Sequence, residues 1–484
     1  MSSIVFKSAK QHAIAIQKRS IKAIDLLEAY FEQIDKFNPE INAVIWQDRK
    51  AAKEIARQID KETDTGNFRG PLHGVPMTVK ESFNLSGAPT TWGDPKNIHN
   101  IATTDSDAVA RLRSAGAIVF GKTNVPLDLV EWQTFNKIYG TTNNPWDQTR
   151  TPGGSSGGSA AALSSGMSAL EIGSDAGSSI RNPAHYCGIF GMKPTFKVVS
   201  SQGQCIEETH SESDISVVGP LARTAEDLKL AFEAIRGLRA IESTAYKNNL
   251  PADDRTKLSQ FRIGLKLNDP ESPVDNDYLD KLEKFVMNLE NAGAKIIRNK
   301  LPDIDNELHF MIYLKLVGAS DSPHFTKGQI NALTKGVREL NNDSVSRICG
   351  TRFEGLSLLH RDWINLNKQR NKHRLAFDAY FEDIDILLAP ATGTPAFNHD
   401  QKGPRYQRFL NINGKKYPEM AQLYWSGYSG VIGLPSVVGP IGLVRGLPVG
   451  YQAIASHGRD FTALAFAEAV ERELGGFIPP PLCI

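Results

Sequence analysis

The amino-acid sequence predicts an α/β fold, and three observations lead to that class. Two strand-like apolar runs, VPMTV and AIVFGKT, enclose a helical stretch at 105–115. A second helical stretch, at 278–292, lies between the strand-like segments RIGLK and AKIIRN, which gives a βαβ-like unit over 262–299. Three more apolar runs, near the end of the chain, predict further sheet strands: 384–390, 434–443 and 447–455.

Helical patterns connect these strands in chain order. Residues 21–36 carry apolar side chains at helical spacing, and Asp105 or Ser106 is the expected N-cap of the 105–115 helix. Thr224 is the expected N-cap of an amphipathic helix at 224–239. Residues 300–380 are rich in helical patterns. The remaining predicted helices are 47–61, a small-residue helix at 159–168, and 460–473.

The chain shows no repeat and no low-complexity segment. A modest linker candidate lies at 240–261, but βαβ patterning resumes after it. We therefore expect a single domain over 1–484, with a motif core at 66–200 and a helix-rich, substrate-pocket region at 300–430.

Composition excludes several classes of function. The 484 residues are 40% hydrophobic and 23% charged, with a net charge of +1, so no nucleic-acid-binding surface is expected. The four cysteines are far apart and contain no CxxC pair, which argues against a disulfide scaffold or a zinc site. No signal-peptide core or membrane-length apolar run is evident. We expect a cytoplasmic protein with no metal and no organic cofactor.

Two familiar motifs match the sequence without their structural context. GAIVFGKT at 116–123 fits the P-loop expression, but its intervening residues are strand formers and a P-loop needs a flexible loop there. GSSGG at 154–158 fits GxSxG with Ser156 at its centre, yet a nucleophile elbow requires a strand directly before it, and Pro152 cannot donate a hydrogen bond in a central strand. His457, the downstream histidine of such a triad, is better explained as a turn residue.

A third combination is more informative: Lys80 at the end of a predicted strand, followed by GGSSGGS and GSDAGSSIRNP. A serine hydroxyl needs a base to become a nucleophile. A lysine can act as that base if burial lowers its pKa, because desolvation disfavours the ammonium. A second serine can relay the proton, and glycine-rich turns can offer N–H groups to an oxyanion.

The chain resembles the amidase signature family of serine hydrolases, most like a bacterial stand-alone amidase. The matching segments, in order, are GVPMTVK, GAIVFGKTN, GTTNNPWDQTRTPGGSSGGS, GSDAGSSIRNPAHYCGIFGMKPT, SVVGPLART and GLPVGYQ. The resemblance implies an α/β/α sandwich, with a mixed central sheet covered by helices. It also implies a Ser–cis-Ser–Lys triad that cleaves an amide C–N bond through an acyl-enzyme.

The resemblance assigns roles residue by residue. Ser179 matches the nucleophile, Ser155 the bridging serine whose peptide bond to Gly154 is cis, and Lys80 the general base. Backbone N–H groups match the oxyanion hole at Ala176, Gly177, Ser178 and Ser179. Supporting positions are Asp175 and Arg181, which hold the loop, and Thr151 and Ser156, which are expected to orient the triad by hydrogen bonds.

The chain departs from the family pattern at Ser178, where glycine is usual. A serine there restricts φ and can shift an oxyanion donor, and it leaves Ser178 open as an alternative attacking residue. Glu81, where aspartate is common, is a milder change.

The sequence gives less information about the substrate than about the catalytic residues. HFMIYLKLVG and QLYWSGYSGVIG are rich in aromatic residues, so we hypothesise an apolar or aryl amide with Tyr313 and Trp425 in the pocket wall. Ordinary core packing explains these side chains equally well. Two alternative functions stay open: the amidase subunit of a glutamine-dependent tRNA amidotransferase, and a non-catalytic member with a binding role. The expected partner is a small-molecule amide, with no nucleic acid; a homodimer is a further possibility.

Overall fold

A computed structural model describes residues 4–206 and 212–483, and its strands confirm the predicted α/β class. The predicted strands at Lys80 and at 117–123, the βαβ strands and the late strands are all present. The strands are β1 Val44–Gln47, β2 Pro76–Lys80, β3 Ile118–Thr123, β4 Phe135–Asn136, β5 Gly140–Thr141, β6 Glu171–Asp175, β7 Phe190–Lys193, β8 Val217–Ala222, β9 Arg262–Leu265, β10 Lys295–Ile297, β11 Ile386–Pro390, β12 Phe409–Ile412, β13 Lys415–Pro418, β14 Ser436–Val444 and β15 Leu447–Ile454.

Eight strands form a mixed sheet in the order β10-β9-β11-β15-β14-β7-β8-β6. β9 pairs in parallel with β10 and with β11, as the βαβ-like unit predicts. The other five pairings are antiparallel. The sheet is therefore mixed, and β6, which leads to the Asp175 turn, is an edge strand.

The strand that ends at Lys80 belongs to a second sheet. Three strands pair in the order β1-β3-β2, with β2 parallel to β3 and β1 antiparallel to it. β2 lies beside the edge strand β6, since the Thr78 N–H donates to Ser168 Oγ at 3.0 Å and the Thr78 hydroxyl donates to the Glu171 carboxylate. The ends of β2 and β6 thus meet, and this places Lys80 next to the Gly/Ser turn.

Helices flank the sheets, and their ends differ from the predictions by a few residues. α2 continues to Ile41 through Pro39, whereas α7 starts after Thr224, as predicted, and ends at Ile235. The helices are α1 Ala9–Gln17, α2 Ala23–Ile41, α3 Arg49–Asp64, α4 Asp107–Ser114, α5 Gly157–Ser164, α6 Arg181–Cys187, α7 Ala225–Ile235, α8 Ala240–Ser243, α9 Asn276–Asn291, α10 Asn306–Asp321, α11 Lys327–Glu339, α12 Asp343–Val345, α13 Thr351–Gly355, α14 His360–Tyr380, α15 Leu423–Gly430 and α16 Asp460–Leu474.

The large sheet is buried on both faces, as β11 shows. Ile386 and Leu388 belong to one hydrophobic cluster, whereas Leu387 and Ala389 belong to a second cluster. Since successive strand residues point to opposite faces, each face packs against its own apolar layer. The expectation of one domain over 1–484 stays a prediction. Within the described ranges, none of the helices has both the length and the apolar content needed to cross a membrane.

Candidate active site

Lys80 is the last residue of β2 and is fully buried. Its Nζ donates to Ser155 Oγ at 2.7 Å and to Ser174 Oγ at 3.0 Å. Burial lowers the pKa of Lys80 to about 7, although the charges of Asp175 and Glu81 act in the opposite direction. A substantial fraction of this lysine is therefore neutral near neutral pH, which is the form that can accept a proton.

Ser155 lies in the turn before α5, and the peptide bond from Gly154 to Ser155 is cis, as the resemblance implies. The Asn182 side chain holds this turn: its Oδ1 accepts from the Gly154 N–H at 3.0 Å, and its Nδ2 donates to the Gly154 and Ser178 carbonyls. A Cβ at Gly154 would lie 2.5 Å from the Glu131 carbonyl oxygen, so only glycine fits there.

Ser179, and not Ser178, reaches the cavity. A cavity of about 460 Å³ is lined by Ser155, Ser174 and Ser179, among other residues. Ser178 is fully buried outside this lining, and its hydroxyl has no hydrogen-bond partner among the described residues. Its φ of +75° is the left-handed conformation in which the family glycine would be unstrained.

The Ser155 and Ser179 segments are joined through the backbone. The Ser156 N–H donates to the Ser179 carbonyl at 3.1 Å, and both Ser155 and Ser179 line the same cavity. Within the described residues, Ser155 is hydrogen-bonded to Lys80 and not to the Ser179 hydroxyl. Catalytic hydrogen bonds are often long without substrate and shorten in the Michaelis complex.

The predicted oxyanion donors do not all remain available. The Ser178 N–H donates to Asp175 Oδ1 at 3.0 Å, so the expectation that it serves the oxyanion is wrong for this structure. The N–H groups of Ala176, Gly177 and Ser179 have no acceptor within the described part of the chain. Ala176 and Ser179 line the cavity, and Gly177 lies between them in the same turn, so these N–H groups are free to serve a substrate oxygen.

Asp175 and Arg181 hold the turn between β6 and α6. Both are fully buried and form two charge-assisted hydrogen bonds, at 2.9 and 2.8 Å. Burial alone would raise the pKa of Asp175, but the charge and hydrogen bonds of Arg181 have the larger effect and hold this pKa below its usual value. Asp175 also accepts from the N–H groups of Ser178 and Ile180, which fixes the backbone on both sides of Ser179.

The expected hydrogen bonds from the side chains of Thr151 and Ser156 to the triad are absent among the described residues, and Ser156 contacts Ser179 only through its backbone N–H. The Thr151 hydroxyl donates to the Trp132 carbonyl at 3.2 Å and accepts from the Gly153 N–H, so it supports the turn from outside. The Ser156 hydroxyl is buried and has no partner among the described residues. The reason is that the side chains of Ser155 and Ser156 point in different directions at the start of α5, so only Ser155 meets Lys80.

The prediction that Tyr313 and Trp425 form the wall of the substrate pocket is also wrong. Tyr313 and Trp425 are fully buried and are absent from the cavity lining. The Tyr313 hydroxyl donates to the Ala176 carbonyl at 2.7 Å, and Trp425 Nε1 donates to the Ser272 carbonyl at 3.0 Å. Tyr313 therefore supports the loop from behind, and Trp425 is a core residue.

Three residues that sequence reasoning missed belong to this site. Ser174 bonds Lys80, Asn182 holds the Gly154 turn, and Trp92 lines the cavity. Ser174 and Asn182 lie inside the matched segment GSDAGSSIRNP, so their proximity to the triad was a usable signal. Trp92 lies on a separate loop with no local pattern to reveal it.

The fold and this buried lysine–serine arrangement are those that the sequence resemblance implies for an amidase. A model of the family described as Amidase matches residues 25–464, so the chain belongs to this family. It is therefore an enzyme that hydrolyses carbon–nitrogen bonds.

Relatives and solved structures agree with this family. The chain is 31% identical to a glutamyl-tRNA(Gln) amidotransferase subunit from Carboxydothermus hydrogenoformans, over 97% of each chain. It is 30% identical to the indoleacetamide hydrolase of Bradyrhizobium diazoefficiens, over 97% of this chain and 86% of that one. A crystal structure of an amidase superposes with a TM-score of 0.78 at 26% identity, covering 97% of this chain and all of that chain.

Proposed function

We propose that this protein is a stand-alone amidase that uses Ser179 as nucleophile, Ser155 as proton relay and Lys80 as base. The observation that carries the proposal is the 2.7 Å hydrogen bond from the buried Lys80 to Ser155, at a cavity that Ser179 also lines. A neutral lysine beside a serine pair provides the activation that a serine nucleophile requires.

The reaction follows from these positions. Neutral Lys80 takes the proton of Ser155 while Ser155 takes that of Ser179, and Ser179 Oγ forms a bond to the amide carbonyl carbon. The N–H groups of Ala176, Gly177 and Ser179 donate to the resulting oxyanion. Ser155 then protonates the leaving nitrogen as the C–N bond breaks. Water, activated by the same relay, hydrolyses the Ser179 ester and releases the acid.

The cavity favours a stand-alone amidase over the subunit of a glutamine-dependent amidotransferase. Glutamine carries an α-carboxylate beside its α-ammonium, and buried carboxylates are normally bound by arginine or lysine, so a site for glutamine needs a cationic residue as well as an anionic one. Among the described residues that line the cavity, none is lysine or arginine, whereas Asp128 and Asp321 are present. Trp92 and Leu129 add apolar surface, which suits the alkyl or aryl amides expected from the sequence.

The test is release of ammonia or amine from a panel of alkyl, aryl and aminoacyl amides that includes glutamine. Turnover of simple amides supports the stand-alone amidase. Turnover of glutamine alone would favour the amidotransferase reading, in which the chain should co-purify with a tRNA-binding partner. No turnover, together with no labelling of Ser179 by a fluorophosphonate, would favour a non-catalytic binding role.

The pH dependence tests Lys80 as the base. The pKa of Lys80 lies near 7, so kcat/KM is expected to rise about tenfold per pH unit on the acid side, to bend near pH 7 and to be level above it. The measurement is kcat/KM for a non-ionising amide between pH 5 and 9. A profile that is level from pH 5, or that has an acid optimum, would contradict a lysine base.

The proposal also covers the cellular compartment and the oligomeric state of the protein. The four cysteines are buried and widely spaced along the chain, which suits a reducing compartment such as the cytoplasm. Homodimer formation is proposed as well, and light scattering of the purified chain tests it directly.

A further inference from the structure

Three side chains from separate segments meet on the wall of the catalytic cavity. Trp92, Asp128 and His324 all line it. The Trp92 and His324 rings lie 5.4 Å apart between centroids, and Asp128 Oδ1 lies 3.9 Å from His324 Nδ1. We name this group the Trp92 wall. It combines an aromatic face with a carboxylate, two features that recognise cations.

The Asp128 carboxylate lacks a strong counter-ion. Within the described part of the chain, no group donates a hydrogen bond to it, and His324 and Lys96 act on it only through their charges, with His324 Nδ1 3.9 Å from Oδ1. Burial raises the pKa of Asp128, and the negative charges of Asp94 and Asp321 add to this, whereas His324 and Lys96 only partly oppose it. The other carboxylate on the cavity, Asp321, is already paired, since Arg352 Nη2 donates to it at 2.5 Å. Asp128 is therefore the carboxylate that is available to a ligand.

The position of Asp128 is fixed by backbone contacts. Its N–H donates to the Trp92 carbonyl at 2.8 Å, and the Trp92 N–H donates to Glu81 Oε2 at 3.0 Å. Glu81 follows Lys80 directly in sequence, so the Trp92 wall is tied to the segment that carries the proposed base. The φ of Asp128 is +52°, a conformation that aspartate and asparagine tolerate better than most residues.

We propose that the Trp92 wall is a cation subsite and that the preferred substrates are amides bearing an ammonium group. The carboxylate of Asp128 pairs with the ammonium, and the Trp92 ring contributes a cation–π contact. This inference rests on the proposed function, because the subsite opens onto the cavity of Ser179.

The experiment compares alkanamides of four to eight carbon atoms that end in an ammonium, a methyl or a carboxylate group at matched lengths. Binding to the Ser179→Ala protein is measured by calorimetry, and kcat/KM is measured for the wild type. We expect the ammonium series to bind about tenfold more tightly than the methyl series at the best length, and the carboxylate series to bind most weakly. Turnover that follows the same order supports the proposal.

Asp128→Asn is the decisive variant, because asparagine keeps the size and suits the left-handed backbone. It is expected to reduce the ammonium preference to about twofold or less. Trp92→Leu removes the ring together with the hydrogen bond from Trp92 Nε1 to the Ser82 carbonyl. It should reduce the ammonium preference in part, and it replaces Asp128→Asn as the test if that variant does not fold. Asp280→Asn is the matched control, since Asp280 is exposed and lies outside the cavity lining.

The two proposals fail in different ways. If the Ser179→Ala protein binds the ammonium series no better than the methyl series at every length, or if Asp128→Asn keeps the preference, the cation subsite is wrong. If the ammonium probes bind as expected but no amide of the series is hydrolysed by the wild type, the subsite stands and the proposed amidase activity is wrong.

Discussion

Replacement of Ser179 by alanine is expected to lower kcat by roughly 10⁴- to 10⁶-fold, the range seen when a serine nucleophile is removed from other hydrolases. Ser179 lines the cavity beside Ser155, and the N–H groups of Ala176 and Gly177 lie next to it. The variant keeps these donors and the cavity, so substrate binding should change little. Single-turnover kinetics with the best amide of the panel, together with calorimetric binding, separates the two effects.

Ser178→Gly is the matched control for this loss. Ser178 lies outside the cavity lining, with φ of +75° and a hydroxyl that has no partner within the described ranges. Glycine relieves the strain of the left-handed backbone conformation, which costs a non-glycine residue about 1–2 kcal/mol. Part of this stabilisation is lost because glycine also increases the conformational entropy of the unfolded chain. The variant should therefore keep most of the activity and be slightly more stable. If instead Ser178→Gly abolishes turnover and Ser179→Ala does not, Ser178 is the nucleophile.

The position of Lys80, the proposed base, was predictable because it follows from local patterns. VPMTV is recognisable as a buried strand, and a strand that ends in lysine places that side chain at the sheet edge. Asp175 was placed by the family resemblance alone, since no strand was predicted where β6 lies. That β2 and β6 lie in different sheets, side by side, depends on long-range pairing that no local pattern contains.

Errors in the predicted site have a common physical origin. Tyr313 and Trp425 were assigned to the pocket from aromatic content, but the orientation of a helix decides which of its faces meets a cavity. Thr151 and Ser156 were assigned to the triad by the family resemblance, but their side chains point away from it: the Thr151 hydroxyl bonds the Trp132 carbonyl, and the Ser156 hydroxyl has no partner among the described residues. The prediction that the Ser178 N–H belongs to the oxyanion hole failed for another reason. This N–H donates to Asp175 Oδ1, a contact that only the three-dimensional structure of the turn reveals.

Replacement of Arg181 by methionine is expected to lower the free energy of unfolding by about 3–5 kcal/mol and to abolish activity. Arg181 is fully buried and donates to Asp175, to the Ser426 carbonyl and to Gln452. Methionine fills similar space but leaves the Asp175 carboxylate buried without its counter-ion. Urea denaturation followed by fluorescence measures the stability, and a low kcat in the folded fraction measures the loosening of the Ser179 turn.

A double variant separates lost charge pairing from lost packing. Asp175→Asn with Arg181→Met removes both charges, so it should be less destabilised than the sum of the two single variants. Arg361→Met is the surface control, because the Arg361 side chain is 80% exposed and its contact with Asp362 is 3.6 Å long. It should change stability little. If the destabilisations of the two single variants simply add up in the double variant, the Asp175–Arg181 pair does not act as a unit. The turn around Ser179 would then be held chiefly by the hydrogen bonds that the Asp175 side chain accepts from the backbone N–H groups of Ser178 and Ile180.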